Sequence, residues 1–295
     1  MKQPLFTGLC TALVTPFLNG EVNYPMLDLL IRRQIEAGVT AIVLAGTTGE
    51  SPTLSDEEKL ALFRRGVRAA EGHCRIIAGT GCNDTLHAVE LSRQAQRCGV
   101  DGLLVVTPYY NKATQTGLVK YYSMVAEAVE IPVIAYNVPS RTGVDLGCGA
   151  CRELAKIGNL VGLKEAGGDL VKVMRIIDEN GPGLPVYSGN DDQTVAMMAL
   201  GGLGVISVAS NVAPVEMNAM VRYAQNGDFA MAGLMQRKLL PLTDLMFCQV
   251  NPIPVKAAME RIGYDVGTCR LPLDGLSPDN EERMERFFRE VKELS

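Results

Sequence analysis

The chain has 295 residues, with 28 Lys and Arg against 33 Asp and Glu and a formal net charge of −5. That length suits two ordinary domains or one large α/β barrel with an addition, and the acidic balance argues against a dedicated nucleic-acid binder. Hydrophobic residues at 47% and charged residues at 21% support a sizeable core; no uncharged apolar run of about 18 residues and no signal-peptide pattern point to a membrane or secreted protein.

In chain order, short runs rich in Val, Ile and Leu each lead through a polar or Gly-rich turn into a helical pattern. The strand-like runs are Gly8–Thr15, Ala41–Ala45, Arg75–Gly79, Gly102–Thr107, Val133–Asn137, Leu160–Glu165, Leu184–Ser188 and Gly204–Val208. Among the helix starts, Ser55-Asp56-Glu57-Glu58 reads as a capping box and Asp84-Thr85 opens a helix running to Cys98. Near-continuous apolar strands suit a parallel sheet covered on both faces. Eight βα units point to an α/β fold, the (β/α)8 TIM barrel. A doubly wound sheet would show a glycine fingerprint after its first strand, and Thr15-Pro16-Phe17 is no such turn. Beyond Val208 only helical patterns follow, over Pro214–Gln225, Asp228–Cys248, Pro254–Ile262 and Asp279–Glu293. The expected organisation is a barrel over 1–227 and a C-terminal helical extension over 228–295.

Catalytic groups of a barrel sit at the C-terminal ends of its strands. After the second strand, Gly46-Thr47-Thr48-Gly49-Glu50-Ser51 sets two hydroxyls between glycines, a cradle for a carboxylate or phosphate or else a plain turn. It lacks the Lys of a P-loop. The fourth strand ends in Thr107-Pro108-Tyr109-Tyr110-Asn111, where paired tyrosines read first as packing or interface residues. The fifth ends in Tyr136, with Arg141 five residues on, able to fork onto a carboxylate but by itself an ordinary surface residue. The sharpest signal is Lys164, which closes the apolar run Leu160-Val161-Gly162-Leu163. A lysine desolvated at a barrel mouth is a candidate nucleophile; the plain alternative is an ion pair with Glu165. Lys256 is the next candidate, but its neighbourhood is all helical.

Eight cysteines are spread through a chain too large to need disulfides, which suits a reducing cytoplasm. Cys148-Gly149-Ala150-Cys151 has no second pair and reads as a helix start. With only His73 and His87, and neither an H-E-x-x-H nor a G-x-S-x-G motif, no metal or serine chemistry is expected. Lys, Tyr, Thr and Arg at strand ends suit imine chemistry on an oxo acid.

The segments GTTGES at 46–51, TPYYNK at 107–112, YNVPSRTG at 136–143 and GLKEA at 162–166 resemble the dihydrodipicolinate synthase family of pyruvate-dependent class I aldolases. YSGND at 187–191, GVISVASN at 204–211 and NPIPVK at 251–256 extend the resemblance over nearly the whole chain. It implies condensation of pyruvate with aspartate 4-semialdehyde, without cofactor, in a cytoplasmic homotetramer built as a dimer of dimers. Lys164 would form the Schiff base; Tyr136, Thr47 and Tyr110 would relay protons, with Tyr110 reaching in from a neighbouring subunit. Thr48 would hold the pyruvate carboxylate, the Gly189 and Ile206 backbones would border the pocket, and Arg141 would bind the semialdehyde carboxylate. The rivals are another pyruvate lyase of the superfamily, acting on sialic acid or 4-hydroxy-2-oxoglutarate, and a non-catalytic oxo-acid-binding regulator. Lysine-inhibited family members bind lysine in a cleft to which Ser51, Asn83 and Tyr109 correspond. Here Asp56 and Lys59 stand in place of two histidines and His87 in place of a glutamate, so weak or absent inhibition by lysine is expected.

Overall fold

Each of the eight apolar runs forms a strand. The computed structural model describes residues 2–294, so Met1 and Ser295 lie outside the described residues. The strands are β1 (Gly8–Ala12), β2 (Ala41–Leu44), β3 (Arg75–Gly79), β4 (Gly102–Val106), β5 (Val133–Asn137), β6 (Leu160–Glu165), β7 (Val186–Ser188) and β8 (Gly204–Ser207). They pair in parallel in sequence order, and β8 closes back onto β1. Around them run α1 (Tyr24–Glu36), α2 (Asp56–Ala70), α3 (Thr85–Arg97), α4 (Gln115–Glu127), α5 (Cys148–Leu154), α6 (Leu170–Asn180), α7 (Thr194–Ala199) and α8 (Pro214–Gln225). Three further helices follow: α9 (Phe229–Met246), α10 (Ile253–Arg261) and α11 (Pro278–Leu294).

Alternation along the strands sorts side chains into two cores. Cys10, Ala12, Val43, Ile77, Leu104, Ile134 and Ile206 fill the barrel interior. Leu9, Ile42, Leu44, Ile76, Leu103 and Val205 face the helices. Tyr187 and Phe6, just ahead of β1, stack inside the barrel with ring centroids 4.4 Å apart, and the Tyr187 hydroxyl donates to the Phe6 carbonyl at 2.7 Å.

One irregularity directs the chemistry. Between β5 and β6 the register shifts, so that Val133 and Ile134 face Leu160 and Gly162. Leu160 and Leu163 both pack outward while Val161 packs inward, which strict alternation cannot give. The extra residue resets the phase, and Lys164 pairs with inward-facing Tyr136. Gly162 keeps the interior open, since a Cβ there would lie 2.9 Å from the Tyr187 ring.

Three expected strands lose only their last residue, and two prove shorter by more than that. β1 stops at Ala12 rather than Thr15 because side chains take over the ladder: the Val14 N–H donates to Asn211 Oδ1 at 3.1 Å and Thr15 Oγ1 donates to the Gly49 carbonyl at 2.7 Å. The chain then turns through a two-residue ribbon, Phe17–Leu18 against Glu21–Val22. β7 starts at Val186 because Pro185 has no N–H to give. The capping box forms as expected, with Glu58 N donating to Ser55 Oγ and Ser55 N donating to Glu58 Oε2. Cys148 opens α5, and all eight cysteines are free.

Candidate active site

Lys164, next to last in β6, has only 5% of its surface exposed, and Tyr136 on β5 is 6% exposed. The Lys164 ammonium sits 4.2 Å from the centroid of the Tyr136 ring. It makes no ion pair with any described residue. Glu165, the sequence neighbour that might have paired with it, points to the other face of the sheet. There Glu165 accepts from Asn137 Nδ2 at 2.9 and 3.0 Å, from Gly167 N at 2.6 Å and from Lys172 Nζ at 3.1 Å. Burial pushes the Glu165 carboxyl up, while Lys172, Asn137 and Gly167 pull it down. Gly189 lets the lysine chain pass: a Cβ there would lie 3.1 Å from Lys164 Cε and 2.6 Å from Ala166 Cβ.

A cavity of about 190 Å³ opens above Lys164, walled by Tyr136, Thr47, Thr48, Arg141 and Gly189. The hydroxyl loop is fixed from below by Glu50, whose backbone is left-handed at φ 57°. Its buried carboxylate meets Lys256 Nζ at 2.7 Å and accepts from Arg270 N at 2.8 Å. Lys256 is therefore committed to a buried ion pair. Burial pulls its ammonium down and Glu50 opposes this.

The expected residues do not all meet. Ile206 lies wholly buried in the barrel interior, and Val208 rather than Ile206 walls the cavity. Tyr110 is 86% exposed and lines neither this cavity nor the next. Thr47, Tyr136 and Arg141 also line a second space of about 500 Å³ over the N-terminal ends of α2 and α3. Ser51, Asp56, Lys59, Asn83, His87 and Tyr109 all border it. His87 Nε2 lies 2.7 Å from Asp56 Oδ2, and Lys59 Nζ lies 3.5 Å from Asp56 Oδ1. A broader hollow of about 610 Å³, lined by Arg64, Arg65, Arg68 and Arg97, lies on the outer helices away from the strand ends.

Two residues escaped the sequence reading as individuals. Asn251, just ahead of α10, donates from Nδ2 to Thr48 Oγ1 at 3.0 Å, and its carbonyl accepts from Arg141 Nη2 at 3.1 Å. Asp191 ties the ends of β7 and β8 by accepting from Val208 N and Ala209 N, each at 2.9 Å. Burial pushes its carboxyl up. Both lie in segments that carried the resemblance, but only the fold shows what they touch.

A (β/α)8 barrel whose sixth strand carries, near its C-terminal end, a buried lysine with no ion pair among the described residues defines a class: enzymes that act on carbonyl compounds through an amine. The chain belongs to the Dihydrodipicolinate synthetase family, which it matches over residues 5–291. It is 44% identical over 290 residues to the 4-hydroxy-tetrahydrodipicolinate synthase of Acetivibrio thermocellus, covering 98% of this chain and 99% of the relative. Against the enzyme of that name from a Thermoanaerobacter species it is 47% identical over 281 residues, 95% of each. A solved dihydrodipicolinate synthase from Aquifex aeolicus superimposes with a TM-score of 0.95 at 43% identity, covering 97% of this chain and 98% of that one. No helix among the described residues is long and apolar enough to cross a membrane.

Proposed function

We propose that this enzyme condenses pyruvate with L-aspartate 4-semialdehyde to 4-hydroxy-tetrahydrodipicolinate, in lysine and diaminopimelate biosynthesis. The supporting observation is Lys164: buried, free of a carboxylate and set over Tyr136 inside a cavity of about 190 Å³. Its amine adds to the pyruvate ketone, and loss of water gives the imine. Removal of a methyl proton gives the enamine, whose carbon attacks the aldehyde. The semialdehyde's own amine then displaces Lys164 from the imine carbon and closes the ring, returning the free lysine. Tyr136 carries the protons, with Thr47 and a Tyr110 from a second copy behind it. Thr48 holds the pyruvate carboxylate, and Arg141 at the entrance forks onto the semialdehyde carboxylate. Gly189 and the strand that carries Ile206 shape the wall. The working unit is a homotetramer in the cytoplasm, where free cysteines stay reduced.

Pyruvate with borohydride should fix a reduced adduct on the peptide containing Lys164 and inactivate the enzyme. An adduct on Lys256 instead, or no adduct, overturns the reading.

A further inference from the structure

A threonine hydroxyl has one proton and two acceptor lone pairs, so a donor that occupies one lone pair constrains where the proton points. Thr48 and Asn251 are 2% and 5% exposed, and both wall the cavity that holds Lys164. Asn251 Nδ2 donates to Thr48 Oγ1 at 3.0 Å across 203 positions of sequence. The main-chain carbonyl of the same residue accepts from Arg141. One residue thus touches both groups assigned above to the two substrate carboxylates.

We propose that Asn251 is a positioning residue that fixes the polarity of Thr48, making its hydroxyl a donor toward the pyruvate carboxylate, while its carbonyl anchors Arg141 for the second substrate. The inference rests on the functional reading above. With the amide N–H on Oγ1, the Thr48 proton turns away from Asn251 and is free for a ligand oxygen. Asn251 Oδ1 is buried without a partner. In the reversed amide orientation that oxygen would accept the Thr48 proton, and the donor would be lost to the substrate. The two duties are separable, because the side chain serves Thr48 and the backbone serves Arg141.

The test reads pyruvate affinity as the concentration that half-saturates borohydride trapping at Lys164, and semialdehyde affinity as its KM in turnover. Asn251→Ala should weaken pyruvate about five- to tenfold, the worth of one neutral hydrogen bond, with the semialdehyde KM unchanged. Asn251→Asp keeps the size but takes the Thr48 proton and sets a charge near the pyruvate carboxylate. It should weaken pyruvate about a hundredfold, well beyond the alanine variant. A packing role predicts the opposite order, because aspartate conserves shape. In a Thr48→Val background, Asn251→Ala should add no further loss. The proposal falls if Asp is milder than Ala, if both substrates weaken alike, or if the alanine loss persists without the Thr48 hydroxyl. Should Asn251→Asp fail to fold, the comparison in the Thr48→Val background decides alone. Absence of trapping in the unmodified enzyme sinks the functional reading itself, whereas normal trapping with the reversed order sinks only the role of Asn251.

Discussion

At the outer cavity, charge decides what can enter. Two carboxylates border it, and both are engaged. Asp84 caps α3 by accepting from Leu86 N and His87 N, and Asp56 lies between His87 and Lys59. Burial pushes the Asp56 carboxyl up, but the His87 hydrogen bond and the Lys59 ammonium outweigh it and hold the group below its ordinary value. A cationic amino acid arriving here must displace partners already in place, beside a lysine that repels it. Titration of turnover with lysine should therefore give no half-inhibition at or below about 1 mM, an affinity of about 4 kcal/mol. A sub-millimolar midpoint would show that the ligand finds acceptors elsewhere in the cleft. Lys59→His combined with His87→Glu removes the repulsion, supplies a free carboxylate and should raise sensitivity.

At the scale of elements, the chain that follows the barrel, through Lys256 on α10 and Arg270 in the stretch between α10 and α11, holds its second loop in place. Arg270 forks onto Glu58 in the first turn of α2 at 2.5 and 2.8 Å, while its N–H reaches Glu50. The Arg270 hydrogen bonds hold the Glu58 carboxyl below its ordinary value of 4.5, against an opposing push from burial. A carboxyl depressed on folding contributes stability that is complete above the unfolded value and is lost as pH falls through the folded one. The pair is partly solvated, so its worth is at most about 1 kcal/mol. Glu58→Gln keeps the capping acceptor and removes the charge. Its urea midpoint should fall below wild type at pH 7, and the gap should shrink as the pH drops below 4.5 and vanish once the folded carboxyl is protonated; a gap that does not change with pH would mean that shape, not charge, matters. The elements themselves were legible because parallel strands buried on both faces leave unbroken apolar runs, and Ser55 with Glu58 announces α2. Lys164 was legible as an oddity at the end of such a run. Its inward direction was not, because strict alternation from Leu160 would turn Lys164 outward, and only the register shift opposite Val133 and Ile134 brings it inside. Helix α1 carries its own signals in Asn23, which caps it through Met26 N, and in Pro25, but the two-residue ribbon Phe17–Leu18 against Glu21–Val22 separates it from the first strand. Contacts such as Asn251 with Thr48 join segments that have no local pattern in common, so only the closed fold brings them together.

At the scale of the whole molecule, Tyr110 stands outside the site it was expected to join. Tyr110 sits at φ 74° and Lys112 at φ 50°, left-handed backbone that costs a side-chain-bearing residue about 1 kcal/mol each. The Tyr110 N–H is tied to the Thr142 carbonyl at 3.3 Å, beside Arg141, so its backbone stays near its own cavity while its ring is directed into solvent. With 86% of its surface exposed, the Tyr110 side chain gains little packing within a single copy to offset that expense. It acquires a task if a second copy related by a two-fold axis places each Tyr110 against the other's Thr47 and Tyr136. Tyr110→Phe chains and Lys164→Ala chains should then each be inactive or nearly so. Mixed under conditions where subunits exchange, they form hybrids in which one site combines an intact Lys164 with an intact Tyr110 from its partner. Activity should return to about a quarter of wild type per chain, because half the pairs are hybrids and each hybrid has one whole site. Light-scattering mass and differently tagged chains confirm the exchange. If hybrids form and no activity returns, Tyr110 does not act across the interface, and the relay behind Tyr136 ends at Thr47 within one chain.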